Sequence, residues 1–262
     1  ETRTLDLVRL RSPADAQLAL GSPNAPPTPP ISPTPALWVL DLPPLPSAEG
    51  DERPLAAVFA SPWPGVLEVD AGVTAALATK RAAASQAATM GELLWALWPG
   101  PVDRWDEGDV VRVKLHGGSL ASASSEAVLN GVNAIAVEAN GEWEIVKARN
   151  CVLVGDNQYE LSGFLRGCLG SAHAMQAPHP VGARIVLLDA KLVRMEIGAH
   201  EWTEALQVAA PPFGLLATDA RAAVQTVTLP HAARRPWAPA HVGAVRGASG
   251  DIAISWIRCA RT

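Results

Sequence analysis

Several side-chain groups in this 262-residue chain have the types and spacing that chemistry requires. Glu142 and Glu144 flank Trp143, while Asp103, Asp106, Glu107 and Asp109 gather around Trp105. Glycoside hydrolysis needs two carboxyl groups about 5–10 Å apart across a cleft, and residues i and i+2 of a strand share one face at roughly 7 Å. Two outward acids on a half-buried strand are more simply a solvated face, which is the expectation for Glu142 and Glu144. The acids near Trp105 lack the ligand order of an EF-hand loop and read as solvated too. His173 and His179 lie close to Met175 and Pro178, with no Cys or acid at zinc-ligand spacing. Ser162-Gly163 is not part of a G-x-S-x-G elbow, and Cys168 has no His beside it on a recognisable scaffold. The chain is therefore expected to carry no catalytic residue, no metal and no cofactor.

Nine tryptophans stand against one tyrosine and three phenylalanines. Trp95, Trp98 and Trp105 crowd together with Pro99, Gly100 and Pro101. Aromatic platforms beside acids can stack on sugar rings, so these three are the candidate glycan-binding residues. The weightier reading is that they fill a β-domain core or a subunit interface.

The segment Tyr159-Glu-Leu-Ser-Gly-Phe-Leu-Arg-Gly-Cys-Leu-Gly-Ser171 begins as an alternating strand, with Tyr159 and Leu161 on one face. It then breaks at Gly163, Gly167 and Gly170, residues that supply backbone angles other side chains avoid. Arg166 is expected to fix this loop through backbone carbonyls or by pairing with an acid. Gly163, Arg166, Gly167 and Gly170 are thus candidates for a structural loop.

Other segments must position these groups. Val110–His116 is the cleanest alternation, with Val111, Val113 and Leu115 inward and Arg112, Lys114 and His116 outward. Glu142–Val154 and Gln158–Leu165 flank Gly155-Asp-Asn157 and read as a hairpin. Ala183–Asp189 is apolar on both faces, as a strand buried on both sides would be. Ala56–Ala60, Val66–Asp70 and the alternating Val193, Met195 and Ile197 add strands. Met90–Leu97 has helical propensity, but Gly91 and the missing 3.6-residue period favour strand or irregular structure with one brief helical turn across 74–97. The expectation is a mainly β protein with short helical pieces. Residues 1–50 would hold the end of an upstream domain, with a strand near Thr4–Leu10, and a Pro-rich strap. Residues 51–198 would form the β-rich domain, 199–235 an irregular connection, and 236–262 the start of a second sandwich.

Composition narrows the function classes. Hydrophobic residues make up 48% of the chain, which fits a folded core. The net charge of -5 with no Lys/Arg stripe argues against direct nucleic-acid binding. No stretch nears the ~20 apolar residues of a membrane span. Cys151, Cys168 and Cys259 cannot all pair within the chain, and no C-x-x-C spacing is present, which fits synthesis in a reducing compartment. Pro23–Pro35 holds seven prolines and is expected to be extended polyproline II, a spacer rather than a ligand for a Pro-recognising domain. The chain opens at Glu1 and stops just after a strand-like run, which reads as part of a longer polypeptide.

The pattern Y-x-L-S-G-x-L-R-G-x-x-G-[ST] over 159–171 resembles a segment of the baseplate hub, or tail-tip, proteins of long-tailed phages and gene transfer agents. Further blocks fall in the same order: Val39–Pro43, Pro62–Gly65, Pro101–Trp105, Val111–Leu115, Gly118–Leu120, Val128–Ala134, Trp143–Ile145 and Arg184–Asp189. Pro236–Arg258 is similar to the opening of a fibronectin type III domain, with Ile252, Ile254 and Trp256 expected inward. Gly198–Pro239 shows no clear equivalent of the family's Tyr-rich closing strand, and none of the glycosidase-like TIM barrel found in many full-length members is visible. The resemblance implies a hub-type β domain in a virion or virus-like tail tip, made in the bacterial cytoplasm. It would assemble as a homo-oligomer, a trimer on the family's pattern, around the tail axis with other baseplate and distal tail proteins. Its role would be structural, in host attachment and DNA delivery. The alternative is a carbohydrate-binding module engaging a host-envelope glycan.

Overall fold

The computed structural model describes residues 2–4, 33–48, 50–175 and 177–258. The expected strand near Thr4–Leu10 and most of the Pro-rich strap lie outside them. The chain parts into two units, Glu1–Ile31 and Ser32–Thr262. Residues 2–4 of the first carry neither helix nor strand. The architecture below is that of the second.

Four strands come first: β1 (Ala36–Leu40), β2 (Leu55–Phe59), β3 (Leu67–Gly72) and β4 (Thr79–Ala84). Six follow: β5 (Met90–Leu93), β6 (Trp105–Leu115), β7 (Ala134–Ala139), β8 (Glu142–Gly155), β9 (Gln158–Leu165) and β10 (Arg184–Leu187), with the short helix α1 (Ser125–Leu129) between β6 and β7. They close into a barrel in the order β10-β5-β6-β9-β8-β7. The chain then returns through β11 (Val193–Arg194), β12 (Ala205–Ala210) and β13 (Ala223–Thr228), and ends in the hairpin β14 (Ala240–Arg246) and β15 (Ile252–Ile257). The protein is mainly β, with short helical pieces.

Alternation explains the barrel. Val111, Val113 and Leu115 of β6 and Tyr159 and Leu161 of β9 enter one buried cluster with Val146, Ala148 and Phe164, while Lys114 stays exposed. The β8–β9 hairpin turns at Asp156-Asn157, with Asn157 in the left-handed region at φ 51°. A second cluster lies between two sheets of order β1-β2-β11 and β13-β12-β3-β4. A third joins the two bodies: Trp38, Leu40 and Ala57 pack against Met90, Ala136, Trp143 and Val186 on the barrel wall. Residues 183–189 are apolar on both faces because Ile185 fills the barrel interior while Val186 fills the joint.

Two expectations need correction. Residues 199–235 are not an irregular connection: they supply β12 and β13, and β12 pairs with β3 from Gln207↔Gly72 to Ala209↔Asp70. The division into 51–198 and 199–235 therefore cuts across one sandwich built from segments on both sides of the barrel. In the last hairpin, Ile252, Ile254 and Trp256 are 59%, 61% and 60% exposed rather than inward, since no other described element covers β14–β15. The expectation for 74–97 holds against the local helical propensity of Met90–Leu97, as Met90–Leu93 is a strand. A Cβ on Gly91 would fall 2.1 Å from the Lys114 carbonyl oxygen, so only glycine lets β5 lie this close to β6. The brief helical turn in this region is Ala75–Leu77.

Candidate functional site

Strand β9 pairs with β8 only as far as Leu165↔Lys147. Beyond that point β8 continues through Glu142–Val146, and its open edge is covered by residues 166–175. Ser171 Oγ accepts from the Ile145 N–H at 2.8 Å and donates to the Cys168 carbonyl at 2.7 Å. The loop thus substitutes for a missing strand, which is why it follows β9 directly.

Three ionisable side chains meet beneath it, all with 0% side-chain exposure: Glu144, Arg166 and His179. Arg166 Nε and Nη2 donate to the two Glu144 oxygens at 2.9 Å each, a bidentate pair. Arg166 Nη1 donates to the Trp98 carbonyl at 2.6 Å, with Asp109 3.7 Å away. His179 Nε2 lies 2.6 Å from Glu144 Oε2, and Nδ1 lies 3.0 Å from the Glu138 carbonyl. Both ring nitrogens are thus within hydrogen-bond distance of a partner oxygen. The Gly167 amide adds a bond of 2.9 Å to Glu144 Oε1. Glu144 pairs across β7 with Val137, a barrel-core residue, and His179 bridges to Leu97 of the same core. The cluster is an ionic plug at one end of the barrel.

The expected structural loop is resolved in detail. Arg166 uses both options read from the sequence, a backbone carbonyl and an acid. Gly167 (φ +59°) and Gly170 (φ +79°) sit in the left-handed region, and a Cβ would lie 2.7 Å from Ala172 Cβ or 2.6 Å from Trp237 Cδ1 respectively. Gly163 (φ +66°) lies inside β9, against the Arg149 guanidinium. The expectation that Glu144 belongs to a solvated face is corrected: only Glu142 is open, at 42% side-chain exposure, and it pairs with Arg235 at 2.8 Å. His173 approaches Glu142 at 3.6 Å, far from the plug role of His179. Among the described residues no group of three His, Cys, Asp or Glu is placed to hold a metal.

The three candidate glycan-binding tryptophans do not form one platform. Arg112 covers the Trp95 ring at 4.5 Å, and Arg149 covers Trp105 at 4.9 Å. Trp98 is 62% exposed, and its backbone carbonyl is held by Arg166. The buried thiol of Cys151 is pushed up to about 11 by desolvation, which makes it a poor nucleophile near neutrality. Cys168 is raised by burial as well.

Burial alone would push the Glu144 carboxyl up, but the hydrogen bonds from His179 and Arg166, the Arg166 charge and the Gly167 amide outweigh it and hold the group below its ordinary 4.5. A lowered folded-state pKa means a contribution present above that ordinary value and lost as pH falls through the folded one. The melting temperature should therefore fall below about pH 4.5, and the gap between wild type and Glu144→Gln should shrink across that fall. Thermal melts of both proteins over an acid series check this; a gap independent of pH would contradict it.

Residues 88–186 match the family described as Rcc01698-like, C-terminal. The match covers less than half of the chain and coincides with the barrel, from just before β5 to the end of β10. No curated protein matches the chain. Among the described residues no helix is long and apolar enough to cross a membrane.

Proposed function

We propose that this chain is a structural part of the baseplate hub at the tip of a phage-like tail or gene transfer agent. It would assemble as a homo-oligomer, a trimer, around the tail axis alongside other baseplate and distal tail proteins, serving host attachment and DNA delivery. The observation carrying this reading is the inward use of the Tyr159–Ser171 motif. Its Arg166, Gly167, Gly170 and Ser171 are spent on Glu144, on β8 and on tight backbone turns. A motif of that kind specifies shape, and the matched family segment contains it. The ordered sequence blocks that resemble hub proteins supply the particular assembly.

A ring-forming subunit needs two complementary faces of adequate area rather than a cleft with catalytic groups. The β8–β9 hairpin offers Val152, Leu153 and Val154 at 54%, 62% and 42% exposure, and β14–β15 offers a further apolar surface. Exposed apolar patches of this kind mark association surfaces. An antibody raised against the barrel should decorate one end of tailed particles released by cells that encode the chain. Labelling confined to cellular fractions, with bare particles, would refute the proposal.

A further inference from the structure

Residues 229–239 connect β13 to the terminal hairpin β14–β15, and the first half of this connector is firmly held. The His231 ring stacks on Trp202 at 3.7 Å between centroids and 5° between planes. His231 Nε2 and Arg234 Nε both meet Glu52 at 3.0 Å, and the Ala232 amide donates to Asp41 Oδ2 at 2.9 Å. Beyond Arg234 the connector is exposed at Arg235, Pro236, Ala238 and Pro239. Trp237 is the exception. It is half-buried against the loop that follows β9, and its place there is Gly170. A Cβ on Gly170 would lie 2.6 Å from Trp237 Cδ1 and 2.8 Å from its Nε1, so the indole can approach this backbone only over a glycine. We propose that Trp237 is a releasable latch: seated on Gly170 it fixes the direction in which β14–β15 leaves the barrel, and unseated it frees the hairpin to swing.

Three observations carry this inference. The first is that the hairpin has no other anchor among the described residues. Its two strands pair only with each other, and every residue of 241–257 except Gly243 is exposed. Pro236 and Pro239 restrict φ on either side of Trp237, and β14 begins at Ala240, so little slack separates the indole from the hairpin. The loop beneath is itself pinned, since Ser171 Oγ accepts from the Ile145 N–H of β8 at 2.8 Å. A seated Trp237 therefore ties the hairpin to the barrel wall.

The second is the weakness of the ion pair beside it. Arg235 Nη1 meets Glu142 Oε1 at 2.8 Å, but the two side chains are 48% and 42% exposed, where solvent screens the attraction. The indole carries the contact. The third is what that indole leaves unmet. Trp237 Nε1 is buried and has no hydrogen-bond partner among the described residues. Seating gains apolar contact but strands a donor, whereas release hands that donor to water. These opposed terms bring the two states close in free energy, as a latch requires.

The inference does not rest on the tail-hub proposal, and either can fail without the other. The test is backbone ¹⁵N relaxation of the full chain, which reports whether amides 240–257 move with the barrel. In wild type their order parameters should match the barrel's, at about 0.85, and in Trp237→Ala they should fall below about 0.6 while the barrel's stay unchanged. Gly170→Ala should release the hairpin from the other side of the contact, and the double variant should be no freer than either single one. Trp237→Phe should stay latched, because it keeps a ring and removes the stranded donor. The Trp237 variants keep the test sound if Gly170→Ala fails to fold. A hairpin already mobile in wild type, one still rigid in Trp237→Ala, a double variant freer than both singles, or a Trp237→Phe hairpin as mobile as that of Trp237→Ala would each overturn the proposal.

Discussion

Replacing Arg166 with alanine should destabilise the protein by about 3–5 kcal/mol, the range for removing one partner of a buried ion pair. The substitution takes both bidentate donors from Glu144 and leaves that carboxylate at 0% exposure with only His179 and the Gly167 amide. It also strips the Trp98 carbonyl of its 2.6 Å donor. At the size of this protein the loss corresponds to a fall in melting temperature on the order of 10 °C. Arg166→Lys should recover only part of it, because an ammonium group cannot reproduce two parallel bonds to one carboxylate. The contrast is Arg53→Ala. Arg53 bonds Asp51 and Glu196 at the surface with its side chain 42% exposed, so its loss should cost less than about 1 kcal/mol. Thermal melts of the three variants settle the comparison. Equal effects at Arg166 and Arg53 would mean the plug contributes nothing special.

Truncating Phe164 to alanine should be about as damaging, at roughly 3–5 kcal/mol. Phe164 is 0% exposed and fills the barrel beside Leu161 and Ala148, where a strand-bound wall relaxes poorly around a void. Trp98→Ala, by comparison, removes a larger ring from a site that is 62% exposed and leaves the backbone bond to Arg166 in place. It should fall within about 0.5 kcal/mol of wild type. Urea titrations of the two variants check the order, and a Trp98 effect larger than the Phe164 effect would reverse the account of the core.

What could be read from sequence alone follows from how local each signal is. The β6 alternation and the β8–β9 hairpin show plainly because their inward residues are large and their turn is marked by Gly155, Asp156 and Asn157. The strands β12 and β13 were hidden for the opposite reason. Ala205–Ala210 sends only Leu206 and Val208 into the core as larger side chains, set among alanines, and Ala223–Thr228 turns Val224 outward, so each gives only a short apolar alternation. The expected loop role of Arg166 was within reach because glycines bracket it. The burial of Glu144 was not, since its partners lie 22 and 35 residues further along the chain and a strand acid ordinarily faces water.

The proposal that this chain builds a tail hub is tested most directly by a cryo-EM reconstruction of the tail tip of intact particles. The account predicts copies of this barrel related by threefold symmetry around the tail axis, with the closed Glu144–Arg166–His179 end folded as here. A tail tip fully accounted for by other chains, with this protein absent or bound only at the particle's periphery, would contradict it.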